Sequence, residues 1–163
     1  MEKLEFDIRI AGIKELTSEN KFNRWEILRY DGYPISVSMT ASVLPDVNNN
    51  ILTLTLGVRY VSSKGTNAKE LLRYNVLLDF EINDLEERIQ ITDKAVKVPS
   101  HLLTLIIGVG VGTLRGMLAH RTSGTVFDKY PLPLMNISEI VSAMIYSERS
   151  RNPVYPVFKF VYD

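Results

Sequence analysis

Gly108, Gly110, Gly112 and Gly116 punctuate the apolar run at residues 102–118, LLTLIIGVGVGTLRGML, whose one charge is Arg115. Glycines this dense let a backbone approach a phosphate when they sit at a strand-to-helix turn with an acidic residue about 20 positions on. The spacings here, GxGxG from Gly108 and GxGxxxG up to Gly116, do not fit that fingerprint, and no lysine follows as in a phosphate-binding loop. A membrane span needs about 20 apolar residues, and this run is flanked by His101 and broken by Arg115 before that length. No stable membrane insertion is expected. His101 and His120 are the only histidines and are too far apart in sequence for a helical metal pair. Ser100 and His101 are adjacent, so on a helix they point in different directions, and Ser100 reads as a helix cap. Asp84, Glu86 and Glu87 share their segment with Arg88 and read as a solvated turn. With no cysteine there is no thiolate and no disulfide. No nucleophile, base and stabiliser come together, so the expectation is a protein that is not an enzyme, with no metal and no cofactor.

If residues 100–121 form a helix, Gly108, Gly112 and Gly116 fall at i, i+4 and i+8 and leave one face bare over two turns. Each interior glycine costs about 1 kcal/mol relative to alanine, and Ile106, Ile107, Val109 and Val111 favour strands, so propensity alone leaves a strand open. A bare helix face is compensated by close packing on a neighbour. Periodicity does not say whether that neighbour belongs to the same chain.

The elements around this run follow from alternation. Leu4, Phe6, Ile8 and Ile10 oppose Glu5, Asp7 and Arg9, the period of a half-buried strand. Ile35, Val37, Met39, Ala41 and Val43 repeat it before the turn cluster PDVNNN at 45–50. Leu52, Leu54, Leu56, Val58 and Tyr60, then Leu72, Tyr74, Val76, Leu78, Phe80 and Ile82, form a hairpin through KGTNAK. No helical crossover separates the last three strands, so their sheet is expected to be antiparallel with one greasy face. The cover must come from the second half: a helix over 100–121 and a second over 137–147, opened by Asn136 with Glu139 three residues on. The expected fold is α+β, a four-stranded antiparallel sheet with one long and one short helix packed on one face. Residues 1–147 make one domain, and residues 148–163 an extension that packs on it as an extended segment.

Nineteen basic and nineteen acidic side chains give a net charge of zero. No global field draws the chain to nucleic acid or anionic membranes. The first ten residues alternate charge with apolar side chains and lack a signal-peptide core, so a cytoplasmic location is expected. Residues 20–34, NKFNRWEILRYDGYP, gather Phe22, Trp25, Ile27, Leu28, Tyr30 and Tyr33. Two readings stand: a further core-packed strand, or an aromatic connection lining an apolar groove, where large rigid side chains bind partners at low entropic cost.

Four antiparallel strands with a long connection between the first two, then a long helix, a proline-broken segment and a short helix, resemble the SecB-like family of protein-export chaperones. Within SGTVFDKYPLPLMNISEIV, Gly124 and Thr125, Pro133 between Leu132 and Leu134, and Asn136 are similar to that family's segment between its helices, as TLRGML is to helices of its divergent members. The resemblance covers about residues 97–145 best and residues 5–83 in topology alone, and stops before the tail. It implies a holdase that uses no nucleotide and assembles as a dimer of dimers with the long helices between sheets. Gly108, Gly112 and Gly116 would then lie at a subunit interface, and Phe22, Trp25, Ile27, Leu28 and Tyr30 would border a groove for unfolded clients. Members that deliver cargo to the translocation motor are acidic on the outer sheet face, whereas this chain mixes Glu5, Asp7, Asp79 and Glu81 with Arg9, Arg59 and Arg73. A chaperone dedicated to one partner, such as an antitoxin, fits that neutrality as well as one that serves export. A small-ligand or lipid-binding α+β domain is the alternative of another class.

Overall fold

The computed structural model describes residues 7–20, 34–64, 67–93, 95–148 and 157–162. The alternating segments form strands β1 (Ile8–Asn20), β2 (Ile35–Asp46), β3 (Ile51–Lys64) and β4 (Asn67–Ile82). A single helical turn α1 (Leu85–Arg88) and a small ladder of β5 (Gln90–Thr92) and β6 (Ala95–Lys97) lead into helix α2 (Ser100–Thr122). Helix α3 (Ile137–Glu148) and strand β7 (Val157–Tyr162) follow. The main sheet is antiparallel throughout, in the order β1-β4-β3-β2-β7.

Alternation places the core as expected. Ile35, Val37, Met39 and Ala41, Leu52 to Tyr60 at every second position, and Leu72 to Ile82 at every second position are buried. Registers such as Met39 to Val58 to Tyr74 bring these residues side by side on one face. Each fully buried leucine there contributes about 1.5–3 kcal/mol. Helix α2 lies on this face over β3 and β4, and α3 packs beside α2 and against β6, closing one core that includes Leu103, Ile106, Ile107, Leu114, Phe127, Ile140 and Met144.

Four expectations change. The first strand runs on to Asn20, because register shifts at Ala11 and Leu16 each insert a residue and reset the alternation; Leu4 and Phe6 lie outside the described residues. The sheet has five strands, since the extension supplies β7, paired from Ile35–Tyr162 to Thr40–Val157. The acidic segment after β4 is not only a turn: Leu85 is buried, Glu86 and Glu87 stay in solvent, and Arg88 Nη2 pairs with Asp7 Oδ2 at 3.1 Å. Ser100 does not cap α2. The capping position is Pro99, which offers no side-chain acceptor, and Ser100 is already the first helical residue. Asn136 does serve α3: its Oδ1 accepts from Ser138 N at 3.1 Å and its carbonyl from Ile140 N at 3.2 Å.

Candidate interaction surface

The two sides of α2 have opposite surroundings. On the sheet side Gly110 is buried, and a Cβ there would collide with Leu54 Cδ2 and stand 3.1 Å from Leu56 Cδ1. The helix backbone thus rests directly on β3, which only glycine permits at this distance. On the other side, a Cβ at Gly108, Gly112 or Gly116 would meet nothing within 4 Å among the described residues. Leu105 and Val109 flank that bare strip at 50% and 36% exposure. Its hydroxyls turn inward: Thr104 Oγ1 donates to the Ser100 carbonyl at 2.7 Å and Thr113 Oγ1 to the Val109 carbonyl at 2.9 Å. Local back-bonding of this kind removes donors from the surface. Between His101 and His120, the strip that faces solvent is therefore apolar and short of polar handles.

Each flank of α2 is pinned. Arg115, which in the sequence only interrupted an apolar run, donates to the carbonyls of Leu132 at 3.3 Å and Pro133 at 2.9 Å and holds the proline segment along the helix. Below it Tyr60 donates to the Tyr130 carbonyl at 2.8 Å and meets the Phe127 ring edge-on, with centroids 6.0 Å apart. Toward β1, Arg121 donates to Ser18 Oγ at 3.1 Å and pairs with Glu15 Oε1 at 3.4 Å, while Tyr74 donates to Glu15 Oε2 at 2.8 Å. Burial, and then its bond to Glu15, push the Tyr74 phenol up to about 12, with Arg121 opposing. Tyr74 is accordingly a neutral donor at any ordinary pH.

Beyond this cluster no described helix covers β1. Ile10 and Ile13 pair with Phe80 and Leu78, which belong to the core face, yet each remains 45% exposed. The uncovered helix strip and the uncovered end of the β1 layer thus lie on the same side of the sheet.

The outer face of the sheet is polar and internally neutralised. Arg59 and Arg73 stand opposite each other on β3 and β4, and Glu70 accepts from both, from Arg59 Nε and Arg73 Nε at 2.9 Å each. The Arg73 hydrogen bond, opposed by burial and reinforced by Arg59, lowers the Glu70 carboxyl to about 2. Glu81 accepts from Arg9 Nε at 2.9 Å, and Asp79 Oδ1 from Thr53 Oγ1 at 2.6 Å. These carboxylates are engaged in place and form no free acidic track.

The proposed groove residues Phe22, Trp25, Ile27, Leu28 and Tyr30 lie outside the described residues. Their neighbours in sequence are fixed: Asn20 pairs with Leu72 on β4 and Ile35 with Ser62 on β3, at opposite sides of the central hairpin. Gly108, Gly112 and Gly116 do share one face, as their spacing requires. His101 and His120 are both exposed on α2, roughly 28 Å apart at 1.5 Å per residue. Among the described residues no group of three or more His, Asp or Glu could hold a metal ion, and α2 is the one helix long and apolar enough, by length and composition, to cross a bilayer. Its buried residues already cover the sheet.

Sequence reasoning missed Gly110 as the point of closest approach, the Arg115 clamp, and the exposed Ile13 and Leu16. Gly110 had a signal, since it lies opposite the Gly108–Gly112–Gly116 strip on a helical projection, among Ile106, Ile107 and Leu114. The β1 residues had none, because the bulges hide their phase. No model of a known protein family matches the chain, and no curated protein matches it significantly.

Proposed function

We propose that this protein is a non-enzymatic, nucleotide-independent holdase of the SecB-like kind, acting in the cytoplasm on unfolded polypeptides and assembling through the open face of α2. One observation carries the reading: among the described residues, two apolar patches on the helix side, Leu105, Val109 and the glycine strip on α2 and Ile10 and Ile13 on β1, have nothing packed over them. Exposed apolar patches on a folded domain mark sites for a partner. The glycine strip, flat and without donors, suits a second copy of the same helix. Extended clients, held through apolar burial with little sequence preference, suit the surface that remains, together with the segment of Phe22, Trp25, Ile27, Leu28 and Tyr30. The four-stranded core with a long and a short helix on one face agrees with the resemblance in outline, and β7 and the β5–β6 ladder are additions to it.

The neutralised outer face favours a dedicated client over the translocation motor. Docking on a motor by charge needs free carboxylates, and Glu70, Asp79 and Glu81 are each bonded within the sheet. Native mass spectrometry tests the assembly, with a tetramer expected. Suppression of aggregation of a reduced, unfolded protein without nucleotide tests the activity. A monomer that leaves aggregation unchanged and carries a bound lipid would replace this reading with that of a ligand-binding domain.

A further inference from the structure

The strands of the main sheet are not all held by the same force. In β2, β3 and β4 alternate side chains are sealed, and Met39, Leu54, Val58, Val76 and Leu78 are fully buried. In β1 no side chain from residues 8–18 is buried. Ile8 is half-buried at the margin of the core, whereas Ile10, Ile13 and Leu16 stay 45%, 45% and 50% exposed. Yet the ladder of β1 with β4 is long, from Ile8–Ile82 to Asn20–Leu72, and is interrupted at its two register shifts.

Charge supplies what burial does not. Asp7 Oδ2, just before the strand, pairs with Arg88 Nη2 at 3.1 Å, and Arg9 pairs with Glu81 on β4. Farther along, Glu15 Oε1 faces Arg121 Nη2 at 3.4 Å, and Ser18 Oγ accepts from Arg121 Nε at 3.1 Å. Three elements, α1, β4 and α2, thus hold β1 and the residue before it through ion pairs. The six charged side chains are 34% to 69% exposed, so each pair is weak and is screened by salt. On its other side β4 is joined to β3 from Ile51–Glu81 to Lys64–Asn67, and α2 lies over both. The sealed core belongs to β2, β3, β4 and the helices, with β1 at its margin.

We infer that β1 is a releasable edge strand, a salt-sensitive strap that opens as a unit while β2, β3 and β4 stay folded. Local opening of this kind is drawn from segments with few buried apolar contacts, and β1 is the long strand that lacks them. Opening bares the N–H and C=O groups that β4 turns toward β1 and releases the strand that leads into residues 21–33. Nothing in this depends on the holdase reading.

Amide hydrogen exchange of the full chain in sodium chloride tests this. Between about 0.01 M and about 1 M salt the screening length falls from about 30 Å to about 3 Å, which acts on ion pairs and leaves apolar burial in place. The amides of β1, with those of β4 that bond to them, are expected to exchange about tenfold faster in the high salt. The β4 amides bonded to β3 are expected to keep their protection. Arg121→Gln should produce part of that acceleration already in low salt and shrink the salt response, and Arg121→Lys should restore both toward the parent. Salt-independent exchange of β1, exchange of β1 only together with the amides between β3 and β4, or a salt response in Arg121→Gln equal to the parent's overturns the inference.

Discussion

The two sides of α2 are built from the same few residue types and do opposite things. Gly110 lets the helix backbone lie on Leu54 and Leu56 inside the core, while Gly108, Gly112 and Gly116 leave a strip with nothing against it among the described residues. In the first case the missing side chain is compensated by contact within the protomer. In the second the cost of about 1 kcal/mol per helical glycine is not offset by any contact among the described residues. Glycine in a helix is therefore not one signal but two, distinguished by what stands opposite.

Gly110→Leu should break this comparison most forcefully. Its side chain must enter a filled site between Leu54 and Leu56, and overpacking costs about 3 kcal/mol, which lowers the melting temperature by roughly 6–12 °C. A melt within 2 °C of the parent would mean that the helix does not rest on β3. Substitutions on the open strip should act by size. Gly112→Ala should stabilise the protomer by about 1 kcal/mol in denaturant unfolding, because nothing lies in the way. Gly112→Leu should lower the oligomer state in native mass spectrometry while leaving the far-ultraviolet dichroism unchanged. If the leucine variant stays assembled and equally stable, the strip is not a close interface.

The smallest effect serves as a control on the opposite face of the sheet, which neither side of α2 touches. Glu70 is held to about 2 by Arg73 and Arg59, below the usual carboxylate value. Its contribution is therefore fully present above about pH 4.5 and is lost as pH falls toward 2. Both arginines are substantially exposed, so solvent screening reduces that contribution to about 1 kcal/mol. Glu70→Gln should flatten the acid limb of the stability curve by this amount and leave assembly untouched. An acid limb identical to the parent's would show that the Arg59–Glu70–Arg73 bonds add nothing.

Legibility in the sequence followed the length of unbroken periodicity. β2, β3 and β4 were readable because one face is buried along most of each strand, so every second residue from Ile35 to Val43, from Leu52 to Tyr60 and from Leu72 to Ile82 is apolar. β1 was readable only up to Ile10, since the extra residues at Ala11 and Leu16 move Ile13 and Glu15 into the positions that simple alternation denies them. The β5–β6 ladder is three residues a side, too short for any period to register. For α2, helical spacing correctly grouped Gly108, Gly112 and Gly116. The side that meets the sheet was legible in part, since Ile106, Ile107 and Leu114 surround Gly110, while Leu105 and Val109 carry apolar character round to the open side. Ser100 misled for a local reason: a good capping residue stood one place too late, after Pro99. The proposed groove residues from Phe22 to Tyr30 fall outside the described residues, so that part of the site still rests on the sequence.

The strand order also governs how the protein emerges from a ribosome. β2, β3 and β4 pair with their neighbours in sequence, whereas β1 must wait for β4 and β7 is made last. Because the entropy of closing a long loop precedes any gain from a distant pairing, the central meander is expected to form while β1 is still a single extended segment. Limited proteolysis of arrested chains reads this order, with cleavage within β1 persisting until β4 has left the exit tunnel. Each new copy thus spends part of its synthesis as a partly apolar, unpaired strand, the same kind of chain that the finished protein is proposed to hold.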